Sequence, residues 1–142
     1  MGQVGEIEFS HIYKNESFYR VWVSAERLSG SVDKIPTIVS VVLLDLKQIG
    51  PGCNVAIEGA YRSQNVNHRL KLQIVAKRIE LSCETHINKV FLDGYICMQP
   101  VYRKTPLGRE VTEAMIAVNR PNKKTDYIPC IFWGRNTQYV ST

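Results

Sequence analysis

Tyr127 and Trp133 stand six residues apart in the run Asp126-Tyr127-Ile128-Pro129-Cys130-Ile131-Phe132-Trp133. In an extended strand an even separation puts both rings on one face. Ile128, Cys130 and Phe132 then point the other way and can fill an interior. Two rings on one open face can lie flat against planar heterocycles, at about 1–3 kcal/mol for each stacked base. The alternative is that both rings only cover the surface of the domain. Cations that could hold phosphates lie nearby in sequence. Tyr102-Arg103-Lys104 falls between Pro100 and Pro106-Leu107-Gly108, which predicts a hairpin loop with two cations beside a ring. Arg120 follows an apolar strand, the Lys123-Lys124 pair suits electrostatic guidance, and Arg135 sits just past Trp133. Solvated loop charge is the plain reading of these cations. The N-terminal half offers Trp22, Tyr61, Arg62 and Arg69. Trp22 lies out of phase with Val21 and Val23, so it either faces outward and stacks or packs against the other half.

Other chemistry is poorly supported. Cys53, Cys83, Cys97 and Cys130 and His11, His68 and His86 are scattered, and no pair has the spacing of a zinc knuckle or a redox dithiol. The cysteines are read as small buried apolar residues in a reducing compartment. Neither clustered carboxylates for two metals, a nucleophile elbow nor triad spacing is present. The expectation is a protein that is not an enzyme and holds no metal or cofactor.

The elements that must position these residues are strands. The chain has 142 residues, 22% charged and 44% hydrophobic, which is globular composition. Its longest apolar run, Ile35 to Leu46, contains Pro36 and Asp45 and is too short to span a bilayer. The first residues lack the layout of a signal peptide, so a cytoplasmic location is expected. Period-two alternation appears at Ile7 and Phe9, at Phe18 to Val23, at Ile35 to Val39, from Val55 to Tyr61, and from Leu70 to Leu81. Only Val41 to Ile49 suits a short helix. Five strands with one helical link suggest a small closed barrel, so the fold class is all-β.

The sequence reads twice. Arg27, Asp33, Ile35 and Pro36 return as Arg120, Asp126, Ile128 and Pro129 at one offset of 93. The strand ending at Ile12 is matched to the one ending at Ile96 at an offset of 84. That match predicts a hairpin nine residues longer in the second copy, spanning about Cys97 to Glu110. Carried forward, the repeat would need residues 134 to 174, so the second unit is expected to lack its last two strands. Either the chain is a piece of a longer one, which is favoured, or a partner supplies those strands. The expected domains are 1–83, without the stacking pair, and 87–142, a partial unit with the binding residues. Charge is uneven in the same sense. Residues 1–86 hold ten Lys/Arg against nine Asp/Glu, and residues 87–142 hold eight against four, which points the second copy toward a polyanion.

Asn88-Lys89-Val90 with Gly94, Pro100 to Gly108, Ile116 to Pro121 and Asp126 to Arg135 occur in the order and spacing of one family. The second copy resembles the bacterial single-stranded DNA-binding protein family, and Gly50 to Ser63 resembles that family's fourth strand. The resemblance implies a duplicated oligonucleotide-binding (OB) barrel, with DNA across the face of strands two and three and base-stacking rings at Tyr127 and Trp133. The first copy departs from the pattern, with Lys34 and Ser40 at the matching positions. The family's acidic C-terminal tip has no counterpart in Thr137 to Thr142. The expected function is non-catalytic, sequence-tolerant binding of single-stranded DNA in replication, recombination or repair. RNA is a further possible partner, no membrane is involved, and a homo-oligomer is expected. The alternative is a structural OB module that dimerises or docks a protein.

Overall fold

The computed structural model describes residues 1–82 and 87–141, except the side chains of Leu46 and Ser141. Cys83 and His86 lie outside the described residues. The chain forms two compact units. The first comprises Met1–Arg62 and Lys71–Val90, and the second Ser63–Leu70 and Phe91–Thr142.

The first unit is built on a closed barrel of β1 (Gly2–Tyr13), β2 (Glu16–Glu26), β3 (Val32–Ser40), β4 (Asn54–Val66) and β5 (Arg69–Leu81), in the order β1-β2-β3-β5-β4, with the β4–β5 tip, Ser63–Leu70, counted in the second unit. β1 turns into β2 through Lys14 and Asn15, both at positive φ (49° and 62°), as a two-residue turn between twisted strands requires. Alternation buries Val4, Val21, Val23, Val39 and Val55, with Ile79, in one cluster. α1 (Val41–Lys47) contributes Leu44 to it. Ser40 starts that helix, because its hydroxyl accepts the Val42 N–H at 3.2 Å. Parallel pairing of β3 with β5, at Thr37↔Ile74, and pairing of β1 with β4, at Gly2↔Val55, close the barrel.

In the second unit β8 (Glu110–Asn119) is central. β9 (Thr125–Trp133) pairs with one edge of it, while β6 (Tyr95–Ile96) and β7 (Val101–Lys104) pair along the other. α2 (Asn136–Ser141) follows β9 as α1 follows β3. The fold is a duplicated OB-fold, closed in the first copy and an open four-stranded sheet in the second.

The β2–β3 and β8–β9 hairpins share one register. Adding 93 to Ala25↔Asp33 gives Val118↔Asp126, and adding it to Phe18↔Ser40 gives Val111↔Trp133. Their turns match as well. Gly30 donates its N–H to the Arg27 carbonyl at 2.9 Å, and Lys123 donates to that of Arg120 at 3.2 Å. Both residues have positive φ, 91° for Gly30 and 67° for Lys123.

The match of first strands at offset 84 is corrected. Tyr95 and Ile96 pair with Ala117 and Ile116, the counterparts of Ser24 and Val23, whose partners are Gln3 and Val4. The offset is therefore 92. Glycine confirms it, since a Cβ on Gly2 would lie 2.4 Å from the Ser24 carbonyl oxygen and one on Gly94 2.2 Å from that of Ala117. The second copy has no hairpin longer by nine residues. β6 and β7 together correspond to the single strand β1, interrupted around Pro100, whose missing N–H cannot serve a ladder. Register shifts in β1, between Val4 and Ile7 and between Phe9 and His11, slip it by one residue each against β2, so the bulges account for only part of the difference between 84 and 92.

Candidate nucleic-acid interface

β9 alternates as its sequence requires. Asp126 and Ile128 are buried and Cys130 and Phe132 partly so, whereas Tyr127, Pro129, Ile131 and Trp133 are exposed. The β8–β9 register runs from Val111↔Trp133 to Asn119↔Thr125 without a bulge, so parity holds along the whole strand. Tyr127 is 42% and Trp133 52% exposed, so both rings present surface to solvent. Six residues of strand separate their Cα atoms by about 20 Å.

Cross-strand partners stand on the same face, which gives this surface four successive rows. Tyr95, Ala117 and Tyr127 form one end. Met115 and Pro129 come next, with Cys97 bonded through its N–H to the Met115 carbonyl at 3.1 Å. Val101, Glu113 and Ile131 follow, and Arg103, Val111 and Trp133 form the other end. Arg103 leans back one row and holds Glu113 at 2.6 Å, with both side chains well exposed. A phosphate on this surface would compete with Glu113 for that guanidinium, an exchange between two anions that solvent keeps weak.

The expected loop at Tyr102-Arg103-Lys104 is corrected too. These residues are in β7, and the loop tip is Pro106-Leu107-Gly108, with Gly108 at φ 81°. Strand alternation separates the three. Arg103 shares the Trp133 face, while Tyr102 and Lys104 pair with Thr112 and Glu110 on the opposite one. The Tyr102 hydroxyl donates to Glu110 at 3.0 Å. Partial desolvation and that carboxylate together hold the phenol above its ordinary pKa. Arg135 is exposed directly beyond the Trp133-Gly134 step.

Arg120 is bound within the protein. Its Nε donates to Asp126 at 2.8 Å, and its Nη2 reaches the other oxygen of the same carboxylate. Asp126 is 1% exposed and also accepts the Ser63 N–H at 2.9 Å, while Ser63 in turn accepts the Tyr127 N–H at 2.7 Å. This bidentate pair raises the Arg120 pKa above its ordinary value. The residue fixes the β8–β9 turn and the base of Tyr127. Lys123 and Lys124 remain exposed at that turn.

In the first unit Trp22 does lie on the outer face, paired with Pro36, and it is half-buried. Its indole N–H donates to Glu8 at 3.3 Å, and Arg20 meets the same carboxylate oxygen at 3.4 Å. Arg62 is half-buried in β4. Cys97 contradicts the expected buried role of the cysteines, since it is exposed, whereas Cys53 and Cys130 are partly buried. Burial raises the Cys130 thiol pKa. Sequence reading overlooked Tyr95, because the offset of 84 placed it against His11 instead of Gln3. Among the described residues no group of three or more His, Cys, Asp or Glu could hold a metal, and no helix is long and apolar enough to cross a membrane.

Residues 87–142 match the single-strand binding protein family. The chain is a relative of the bacterial single-strand binding proteins. A single-stranded DNA-binding protein of Oceanobacillus iheyensis is 40% identical over 61 residues, covering 39% of this chain. The chain spans 38% of that relative's length. The N-terminal domain of the PriB protein from Thermoanaerobacter tencongensis, solved as a dimer, is 33% identical with a TM-score of 0.51. That match covers 58% of this chain and 91% of the domain. The wild-type single-stranded DNA binding protein of Thermus aquaticus superposes with a TM-score of 0.77 at 17% identity, over 99% of this chain and 74% of that one. At that identity the likeness speaks for the fold.

Proposed function

We propose that the chain captures single-stranded DNA, without chemistry and without sequence selection, on the outer face of β6, β7, β8 and β9. The observation that carries this reading is the exposure of Tyr127 and Trp133 on one unbroken strand face, with Arg103 in the same row as Trp133. Rings that stack on any base and cations that accept any phosphate hold a strand with little regard to its sequence. Tyr127 and Trp133 stack on bases. Arg103 and Arg135 neutralise phosphates, with Lys104, Lys123 and Lys124 raising the local positive potential. Tyr102 braces β7 through Glu110, and Arg120 positions the β9 edge through Asp126.

The working domain in this reading is 87–142, and 1–83 is a scaffold barrel in which Glu8 occupies the indole of Trp22. Trp22 and Arg62 are secondary to the site. The protein acts in the cytoplasm as a homo-oligomer in replication, recombination or repair, and RNA competes only through the contacts it shares with DNA. Fluorescence anisotropy of labelled oligo-dT across a salt series tests the reading. The log–log slope of affinity against salt should be near −1.4 for the two phosphates held by Arg103 and Arg135, at about −0.7 per neutralised phosphate. Absence of binding at low salt overturns it.

A further inference from the structure

Tyr95 and Tyr127 stand on opposite sides of Ala117, in one row across β6, β8 and β9. Both are exposed, Tyr95 at 70%, and the alanine between them is only partly buried. Neighbouring strands lie about 4.8 Å apart, so the two tyrosine backbones flank a gap of about 9.5 Å. A flat ring in contact with a ring on each side fills about 7–8 Å at ordinary carbon–carbon separations. The gap therefore suits one planar heterocycle and is too narrow for two. Its floor is a methyl group, and any longer side chain at position 117 would fill the space. Gly94 permits the close approach of the chain to β8 just before Tyr95, since a Cβ there would strike the Ala117 carbonyl oxygen. At the other end of the same face the corresponding floor residue, Val111, is 1% exposed, so no such gap is open there.

The geometry points to Tyr95 as a third base-contacting ring, forming with Tyr127 a slot over Ala117 that sandwiches a single unpaired nucleobase. This inference rests on the DNA-binding reading and adds to it a residue and a stoichiometry. The first copy has no equivalent, because the matching row is Gln3, Ser24 and Lys34.

Oligo-dT binding by the full chain at one low salt concentration tests the slot with four variants. Tyr95→Ala and Tyr127→Ala should each weaken binding about five- to fiftyfold. Their double variant should lose clearly less than the product of the two, because one base is shared between the rings. Ala117→Leu, which removes no ring, should weaken binding by a similar factor while leaving the melting temperature within a few degrees. Wild-type affinity in Tyr95→Ala and Ala117→Leu, with Tyr127→Ala still impaired, overturns the slot and leaves the DNA-binding reading intact. So does a double variant whose loss equals the product. Failure of the unaltered chain to bind overturns both.

Discussion

The two hairpins β2–β3 and β8–β9 have the same register, the same turn and the same arginine–aspartate pair, yet they present different surfaces. Where the second copy has Tyr127 and Trp133, the first has Lys34 and Ser40. Ser40 is the start of a helix and a hydrogen-bond partner of Glu16, so its position serves the fold. Trp133 holds the same ladder position, but its helix begins only at Asn136, after Gly134 at φ 61°, and its ring is left in solvent. The clasp has shifted in the opposite sense. Arg27 holds Asp33 with two bonds of 2.7 Å, but Asp33 is 34% exposed, whereas Asp126 is almost wholly buried. Duplication has thus left one scaffold twice and allowed its outer face to diverge. Positions that pack keep their type, and positions that face water are free to acquire a ligand.

The largest expected effect separates the two faces. Tyr127→Ala with Trp133→Ala should weaken oligo-dT binding about thirtyfold or more, from about 1–3 kcal/mol per stacked base. Lys34→Ala with Ser40→Ala should change it by less than about threefold in the same anisotropy titration, because exposed lysines fix little geometry. Equal losses from the two pairs would erase the distinction. Stability should divide the copies next. Arg120→Ala leaves a buried carboxylate without its cation and should cost about 3 kcal/mol in urea unfolding, at the lower end for a buried pair because Arg120 meets solvent along one edge. Arg27→Ala, in the exposed clasp, should cost far less. A smaller effect is expected in the turn. Lys123 adopts the left-handed backbone that Gly30 takes at the matching place, so Lys123→Gly should stabilise by about 1 kcal/mol. It should also leave the salt slope nearly unchanged if Lys123 only guides DNA.

Much of this contrast was legible in the residues. The offset of 93 between Arg27 and Arg120 located both hairpins, and even spacing placed Tyr127 and Trp133 on one face, because an unbroken antiparallel ladder preserves parity. The first strands were misread because apolar alternation within one strand carries no register of its own, and the split of β1's counterpart around Pro100 leaves only a short run to match, so the offset of 92 is fixed by pairing alone. That error hid Tyr95, whose place beside Ala117 is defined by pairing and not by any local motif. Tyr102-Arg103-Lys104 looked like a loop because prolines flank it, yet a four-residue strand fits between them. Arg120 looked available because a sequence shows charge without showing the buried carboxylate that binds it.

The chain has only two tryptophans, Trp22 and Trp133, one on each outer face. A Trp22→Phe variant therefore reports from Trp133 alone, and a Trp133→Phe variant from Trp22 alone. Titrated with unlabelled oligo-dT at low salt, the first should lose much of its emission in a saturable manner and the second should change little. Saturable quenching confined to the protein that keeps only Trp22 would show that nucleobases meet the first copy, and would contradict the assignment of the binding face to the second.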